Sequence, residues 1–375
     1  MLCNLRKLKI SIRLKRAFKI FGINFALLII FFSLLAVIPP FFKDLKYVFK
    51  YAFSHEKLDE RVLLPNYTDY PWARKHFVEF NSLSTTYYDF IGWRRNKFEG
   101  ETINIDNFGY RRHSLSNNSS ASKIWLFGGS TIWGTGAKDS LTIPAYLERI
   151  SNLPTFNYGE SGYTAHQSLN LLMKAYLEGG KPDYIFFYDG VNDVSHKCRS
   201  ELNFFSSERE AQIREKVLTG KDKPIYLWQV ISPAIKILAS FIHTNKLLKT
   251  KAFFDCDTNT EKASMIAEAL IMDWTLAKNL AESRGAKFVP ILQPVAYIGN
   301  PNLKQLDRVV KNKELEAQYI SVYKEIKKQL KTKNITYLDY TKLFDGDTYI
   351  YIDFCHVSPN GNEIIAKNLS SYLAR

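Results

Sequence analysis

Between residues 121 and 375 the sequence predicts an α/β fold, a parallel sheet covered by helices on both faces. Two observations predict it. Short apolar and aromatic runs alternate with longer helical stretches, and glycines stand where several of those runs end.

The elements follow in order. Residues 123–127 form an apolar run closed by Gly128-Gly129 and read as the first strand. A helix near 141–151, a strand near 154–158 and a helix near 165–178 come next. The run Tyr184-Ile185-Phe186-Phe187-Tyr188 is the core of a third strand at 183–188, ahead of Gly190. Residues 195–258 interrupt the alternation and read as an insertion near the mouth of the site. A long helix around 260–284, a strand at 287–292, a charged helix around 311–332 and a strand at 335–338 resume it. Ser358-Pro359-Asn360-Gly361 is loop chemistry, and a last helix starts near Gly361.

The N-terminal residues have another character. Residues 20–42 carry no charge, and twenty-three residues at about 1.5 Å each span a hydrocarbon core of about 30 Å. They read as one transmembrane anchor ended by Pro39-Pro40. Residues 1–19 form a basic tail in which Arg6, Lys7, Lys9, Arg13, Lys15, Arg16 and Lys19 have no acidic partner. That tail is expected in the cytoplasm, with the remainder of the chain extracytoplasmic. A cleaved signal peptide fits less well, because the apolar stretch is long and no Ala-x-Ala pattern closes it.

Those seven charges supply half of the formal +14. No basic patch with interleaved aromatics is evident in the rest, so nucleic acid is not expected as a partner. Attraction to anionic lipid or acidic glycan is compatible with the charge that is left.

Residues 43–120 form an aromatic-rich elaboration, with short strands suggested by 87–94 and 102–106. Arg111 and Arg112 read as solvated surface arginines, with contact to substrate as the alternative. Residues 114–122 read as a linker into the core domain. Cys198 and Cys256 flank the insertion, and an oxidising compartment would allow them to pair, although the sequence leaves the bond open. No Cys/His spacing suggests a metal and no glycine loop suggests a phosphate-bearing cofactor, so neither is expected.

The chemistry is concentrated in four short blocks. Phe127-Gly128-Gly129-Ser130-Thr131 puts a serine on a turn after a strand, and Asp353-Phe354-Cys355-His356 offers a carboxylate and an imidazole on one turn. Asn157-Tyr158-Gly159-Glu160-Ser161-Gly162-Tyr163 contributes a glycine whose N–H can approach a ligand closely. Gly190-Val191-Asn192-Asp193 places Asn192 at the carboxyl end of a strand, where α/β sheets form their sites. Taken singly, each block has a plainer reading: Asn192 or Asp353 as a helix cap, His356 as a surface histidine, Gly-Gly-Ser as an ordinary turn. Cys355 reads as a packing residue rather than a reactive thiol.

Taken together, the four blocks resemble, in content and order, those of the SGNH or GDSL-type hydrolases. The resemblance covers about residues 120–375 and implies a flavodoxin-like three-layer α/β/α fold. It implies that Ser130 is the nucleophile, His356 the base and Asp353 its orienting acid, with the Ser130 and Gly162 N–H groups and the Asn192 side chain forming an oxyanion hole. One departure is visible: this chain has Gly-Gly-Ser-Thr where the family's usual signature has Gly-Asp-Ser.

Such a site would form an acyl-enzyme, which water releases in an esterase and a sugar hydroxyl releases in an O-acyltransferase. An imidazole with an ordinary pKa of about 6.5 accepts the serine proton near neutral pH. The expected substrate is an O-acyl, especially O-acetyl, glycan outside the cytoplasm. A lysophospholipase or thioesterase acting on lipid, with Phe204, Phe205, Tyr226 and Trp228 of the insertion offering an apolar pocket, is the enzymatic alternative. A scaffold that keeps the fold without catalysis is the third class, and the intact serine, asparagine, aspartate and histidine argue against it.

Overall fold

The computed structural model describes residues 59–113, 123–199 and 254–374, together with residues 22–25, 27, 28 and 31. The chain divides into two units, Met1–Lys57 with Thr219–Lys251, and Leu58–Leu218 with Ala252–Arg375. In the first unit the few described residues are helical and expose Ile23, Phe25, Leu27, Leu28 and Phe31. Among the described residues no helix is long and apolar enough to cross a membrane. Most of the expected anchor at 20–42 lies outside them, as do the linker at 114–122 and nearly all of the insertion, including Phe204, Phe205, Tyr226 and Trp228.

In the second unit the sheet comprises β5 (Ile124–Gly128), β6 (Thr155–Asn157), β7 (Tyr184–Asp189), β8 (Lys287–Leu292) and β9 (Leu338–Asp339). Every pairing in it is parallel, in the order β6-β5-β7-β8-β9. With the five strands counted along the chain this is the order 2-1-3-4-5, the flavodoxin-like arrangement expected from the resemblance.

Alternation along the strands feeds two cores, because successive side chains in a strand point to opposite faces. Trp125, Phe127, Ile185 and Phe187 face helices Ala165–Leu177, Thr260–Ser283 and Lys313–Thr332. Ile124, Leu126, Phe186 and Tyr188 face helices Ile143–Ser151 and Pro359–Leu373. Local chemistry sets the helix ends. The Thr142 hydroxyl accepts from Ala145 N at 3.4 Å with Pro144 in the first turn, and Thr164 and Gln167 form a capping box.

Most boundaries move by one or two residues from expectation, and two of the differences have a plain cause. The last helix begins at Pro359 rather than Gly361, because proline is pre-shaped for the first helical position. The last strand is Leu338–Asp339 rather than 335–338, since only those residues come alongside Ile291 and Leu292.

Residues 59–113 pack as two hairpins and a helix. The hairpins are β1 (Thr85–Tyr88) with β2 (Gly92–Arg95), and β3 (Phe98–Glu99) with β4 (Asn104–Ile105). The helix Ala73–Ser82 presents Glu79, whose carboxylate accepts from the backbone N–H groups of Glu101, Thr102 and Ile103. Arg111 departs from expectation. It is 2% exposed and donates to the carbonyls of Trp133, Gly134, Thr102 and Ala137 while pairing with Asp139 at 2.8 Å. A guanidinium with five donors suits such a nest of carbonyls, so Arg111 is structural, whereas Arg112 is exposed as expected. Cys198 and Cys256 form a disulfide.

Candidate active site

The site lies outside the carboxyl ends of β5 and β7, where the strand order changes direction and α/β sheets leave a crevice. Gly128 ends β5 with a φ of +152°, and a Cβ there would collide with the Tyr188 carbonyl, so the turn into Ser130 needs glycine. Ser130 opens the short helix Ser130–Trp133, whose first N–H groups have no partner within the helix.

Across from it, the tight turn from Tyr351 to Val357 carries Asp353 and His356, the expected acid and base. It is closed by a β-bridge between those two residues and by Ile352 N donating to the His356 carbonyl at 2.9 Å. Thr131 Oγ1, which accepts from Gln293 Nε2 at 3.0 Å and donates to the Cys355 carbonyl at 3.4 Å, ties this turn to the ends of β5 and β8.

His356 Nε2 lies 2.6 Å from Ser130 Oγ, and His356 Nδ1 lies 2.6 Å from Asp353 Oδ2. The other carboxylate oxygen, Oδ1, accepts from the backbone N–H of Cys355 at 2.9 Å and of His356 at 2.8 Å. Burial works to raise the Asp353 pKa, but the facing His356 and these hydrogen bonds outweigh it and hold the carboxyl well below the ordinary carboxylate range. Asp353 is therefore an anion, and it fixes the imidazole so that Nε2 faces the serine. Cys355 is buried, and burial pushes its thiol far up, which makes it inert packing as expected.

The residues expected as oxyanion donors lie on two other segments. Gly162 has a φ of +80° on the loop after β6. Asn192, in the first turn of helix Val191–Lys197 after β7, donates from Nδ2 to the Tyr163 carbonyl at 2.8 Å. The same amide nitrogen abuts Gly129, the residue before the nucleophile. Ser130, Gly162, Asn192, Asp353 and His356 thus gather from four blocks separated by up to 226 positions.

This is the arrangement that the resemblance of the four blocks implied. Solved structures similar to the chain include a lipolytic protein of the G-D-S-L family from Veillonella parvula, 15% identical, which covers 67% of this chain and 98% of its own length with a TM-score of 0.38. A GDSL-like lipase from Bacteroides thetaiotaomicron is 14% identical over 69% of this chain and 92% of its own, with a TM-score of 0.37. A carbohydrate acetylesterase family member from Sinorhizobium meliloti is 12% identical over 67% and 97%, also at 0.37. No family model matches the sequence, and no curated protein does. The reading of the site rests on the geometry of this chain's own residues.

Beside the site is a cavity of about 730 Å³, within the range of small-molecule sites. His196, one helical turn beyond Asn192, lines it, and its Nε2 lies 3.6 Å from where a Cβ on Gly162 would stand. Polar Asn170 and Glu268 line it together with Tyr87, Phe90, Met265 and Met272.

Asp353, Cys355 and His356 also bring one donor atom each within 4.8 Å of one another, the one such group among the described residues. His356 Nδ1 and both Asp353 oxygens are already engaged in the relay, and the thiol is held protonated, so the set suits proton transfer better than a metal.

The sequence reading missed the partners of Glu160, which stands inside the third block it quoted. An acidic residue among buried aromatic and small neighbours was the available signal, because a fully buried carboxylate requires a partner.

Proposed function

We propose that this protein is a membrane-anchored serine esterase that removes O-acyl groups, above all O-acetyl, from an extracytoplasmic glycan through an acyl-enzyme. The observation that carries the catalytic part is the relay Ser130 Oγ, His356 Nε2, His356 Nδ1, Asp353 Oδ2, with both contacts at 2.6 Å.

His356 takes the Ser130 proton as Oγ bonds to the ester carbonyl carbon. The carbonyl oxygen becomes the oxyanion, met by the N–H groups of Ser130 and Gly162 and by the Asn192 amide, and each such donor is worth about 3 kcal/mol. Collapse expels the sugar alcohol, which takes the proton from His356. Water, deprotonated by His356, then adds to the acyl carbon, and the second collapse returns the proton to Ser130 and releases the carboxylic acid.

Aromatic rings beside hydrogen-bonding groups in the cavity, Tyr87 and Phe90 with Asn170 and Glu268, support a sugar-bearing substrate. The uncharged stretch 20–42 behind a basic tail supports the anchor and the location. A sugar hydroxyl in place of water would make the same relay an O-acyltransferase.

One observation favours a second, lipid-directed reading. Met265, Ala269, Met272 and Leu276 recur at helical spacing along the cavity wall, as an acyl-chain groove would require.

The full chain in detergent, assayed with p-nitrophenyl esters of increasing chain length beside Ser130→Ala and with an acetylated glycan as competitor, tests these readings. Acetate-selective turnover that is suppressed by the glycan and lost in Ser130→Ala is the expected result. Preference for long chains moves the assignment to lipid. Absence of turnover together with absence of fluorophosphonate labelling at Ser130 removes the hydrolytic reading.

A further inference from the structure

Gly162 can serve as an oxyanion donor only if its peptide plane is held, and glycine at a φ of +80° has the most freedom to turn away. Its peptide bond to Ser161 carries two groups that a trans peptide points in opposite directions, the Gly162 N–H and the Ser161 carbonyl. Whatever fixes the carbonyl also aims the N–H.

That carbonyl accepts a hydrogen bond from Trp93 Nε1 at 2.9 Å. The indole ring continues past the bond, so that a Cβ on Gly162 would stand 3.3 Å from it. On the next residue, Tyr163, the phenol donates back to the Trp93 carbonyl. On the preceding residue, Glu160 is wholly buried. Its Oε1 accepts from Ser161 N at 2.7 Å and from Arg95 Nη1, and its Oε2 accepts from Arg95 N at 3.1 Å. Arg95 Nη1 also donates to Ser161 Oγ at 2.9 Å. The Arg95 guanidinium lies 3.9 Å over the ring of Trp133, the last residue of the helix that Ser130 opens.

We propose that β2, through Trp93, and Arg95 with Glu160, sets the direction and strength of the Gly162 N–H, so that Trp93, Arg95 and Glu160 are positioning residues for the oxyanion donor. The path from the indole N–H through the Ser161 peptide to the substrate oxygen is a chain of hydrogen bonds, and each link polarises the next. A second path ties the same loop, through Arg95 and Trp133, to the nucleophile's own helix. The elaboration at residues 59–113 is therefore part of the catalytic apparatus, which the four sequence blocks alone do not contain. The assignment rests on the SGNH-type reading of the site.

The test is the rate at which a fluorophosphonate labels Ser130, because the phosphoryl oxygen of the adduct occupies the oxyanion position and no natural substrate needs to be known. Trp93→Phe keeps an aromatic ring at the position and removes the indole N–H together with the second ring. It is expected to slow labelling about tenfold, less than the loss of a whole donor, with KM for a p-nitrophenyl ester within twofold of wild type and a melting temperature lowered by the lost ring volume. Arg95→Lys and Glu160→Gln are expected to slow it further. If those two fail to fold, Trp93→Phe decides alone. Labelling of Trp93→Phe within twofold of the wild-type rate overturns the positioning role and leaves the hydrolase intact. A wild-type protein that is not labelled overturns both.

Discussion

The side-chain amide of Asn192 fills the space in which a β-carbon on Gly129 would stand. Gly129 has a φ of −80°, a conformation open to any residue, so what glycine provides there is room for the Asn192 amide and not backbone freedom. The second glycine lets the Asn192 amide close against the turn that carries Ser130, anchored by the Tyr163 carbonyl.

Gly129→Ala should therefore displace the Asn192 amide and lower kcat by about 100-fold, the scale for losing one oxyanion donor, with little change in melting temperature. Asn192→Ala should cost a similar factor. The double variant should be no worse than Asn192→Ala alone, because both changes remove one interaction. Additive losses in steady-state kinetics would show that Gly129 acts in another way.

Asp353→Asn should lower kcat by about 10³- to 10⁴-fold, since an amide no longer selects the imidazole tautomer that faces Ser130. The depressed pKa of Asp353 also has a stability consequence. Its contribution is present above the unfolded carboxylate pKa of about 3.9 and is lost as pH falls through the lower folded value. Acid titration of stability should show a steeper decline in wild type than in Asp353→Asn.

Asp189 carries the opposite sign. It is buried at the end of β7, accepts from Trp274 Nε1 at 3.0 Å, and lies near Asp193 and Asp273, with Lys197 paired to Asp193 and His166 to Asp273. Burial first, and then the charge of Asp193, hold its pKa well above the ordinary value. A raised folded pKa gives stability that is full below about pH 3.9 and is lost as pH rises toward the folded value. Asp189→Asn should abolish that loss and leave the protein more stable than wild type at neutral pH. Urea titrations at pH 4 and pH 7 measure the difference, and equal pH dependence in the two proteins would refute it.

The disulfide Cys198–Cys256 spans a sequence separation of 58. Closing a loop of that length contributes about 4 kcal/mol in the chain-entropy treatment. Cys198→Ser with Cys256→Ser should lower the denaturant midpoint accordingly, while Ser130 labelling in the folded fraction persists. An unchanged midpoint would show that the loop is constrained by other means.

The residues legible in the sequence were those whose role is declared locally. Ser130 and Asn192 follow apolar runs that became β5 and β7, and Asp353 and His356 share one turn. What escaped depends on contacts made over long separations. Nothing near Trp93 or Arg95 announces partners 65 and 68 positions away, and nothing near Arg111 announces the carbonyls of residues 133–137. An arginine is usually solvated, and only the assembled fold shows which one is enclosed. The last strand was misplaced for the same reason, since its length is set by where it meets β8 and not by its own residues.

The separation of 226 positions between nucleophile and base governs when this chain can first react during its own synthesis. All five strands of the sheet precede residue 340, and the turn that holds Ser130 is complete early. Until residues 353–356 leave the ribosome, that serine has neither its base nor the carboxylate behind it. A chain released before that point would carry the sheet and an unreactive hydroxyl, so a stop codon between the end of the sheet and position 356 silences the chemistry as fully as removal of the serine.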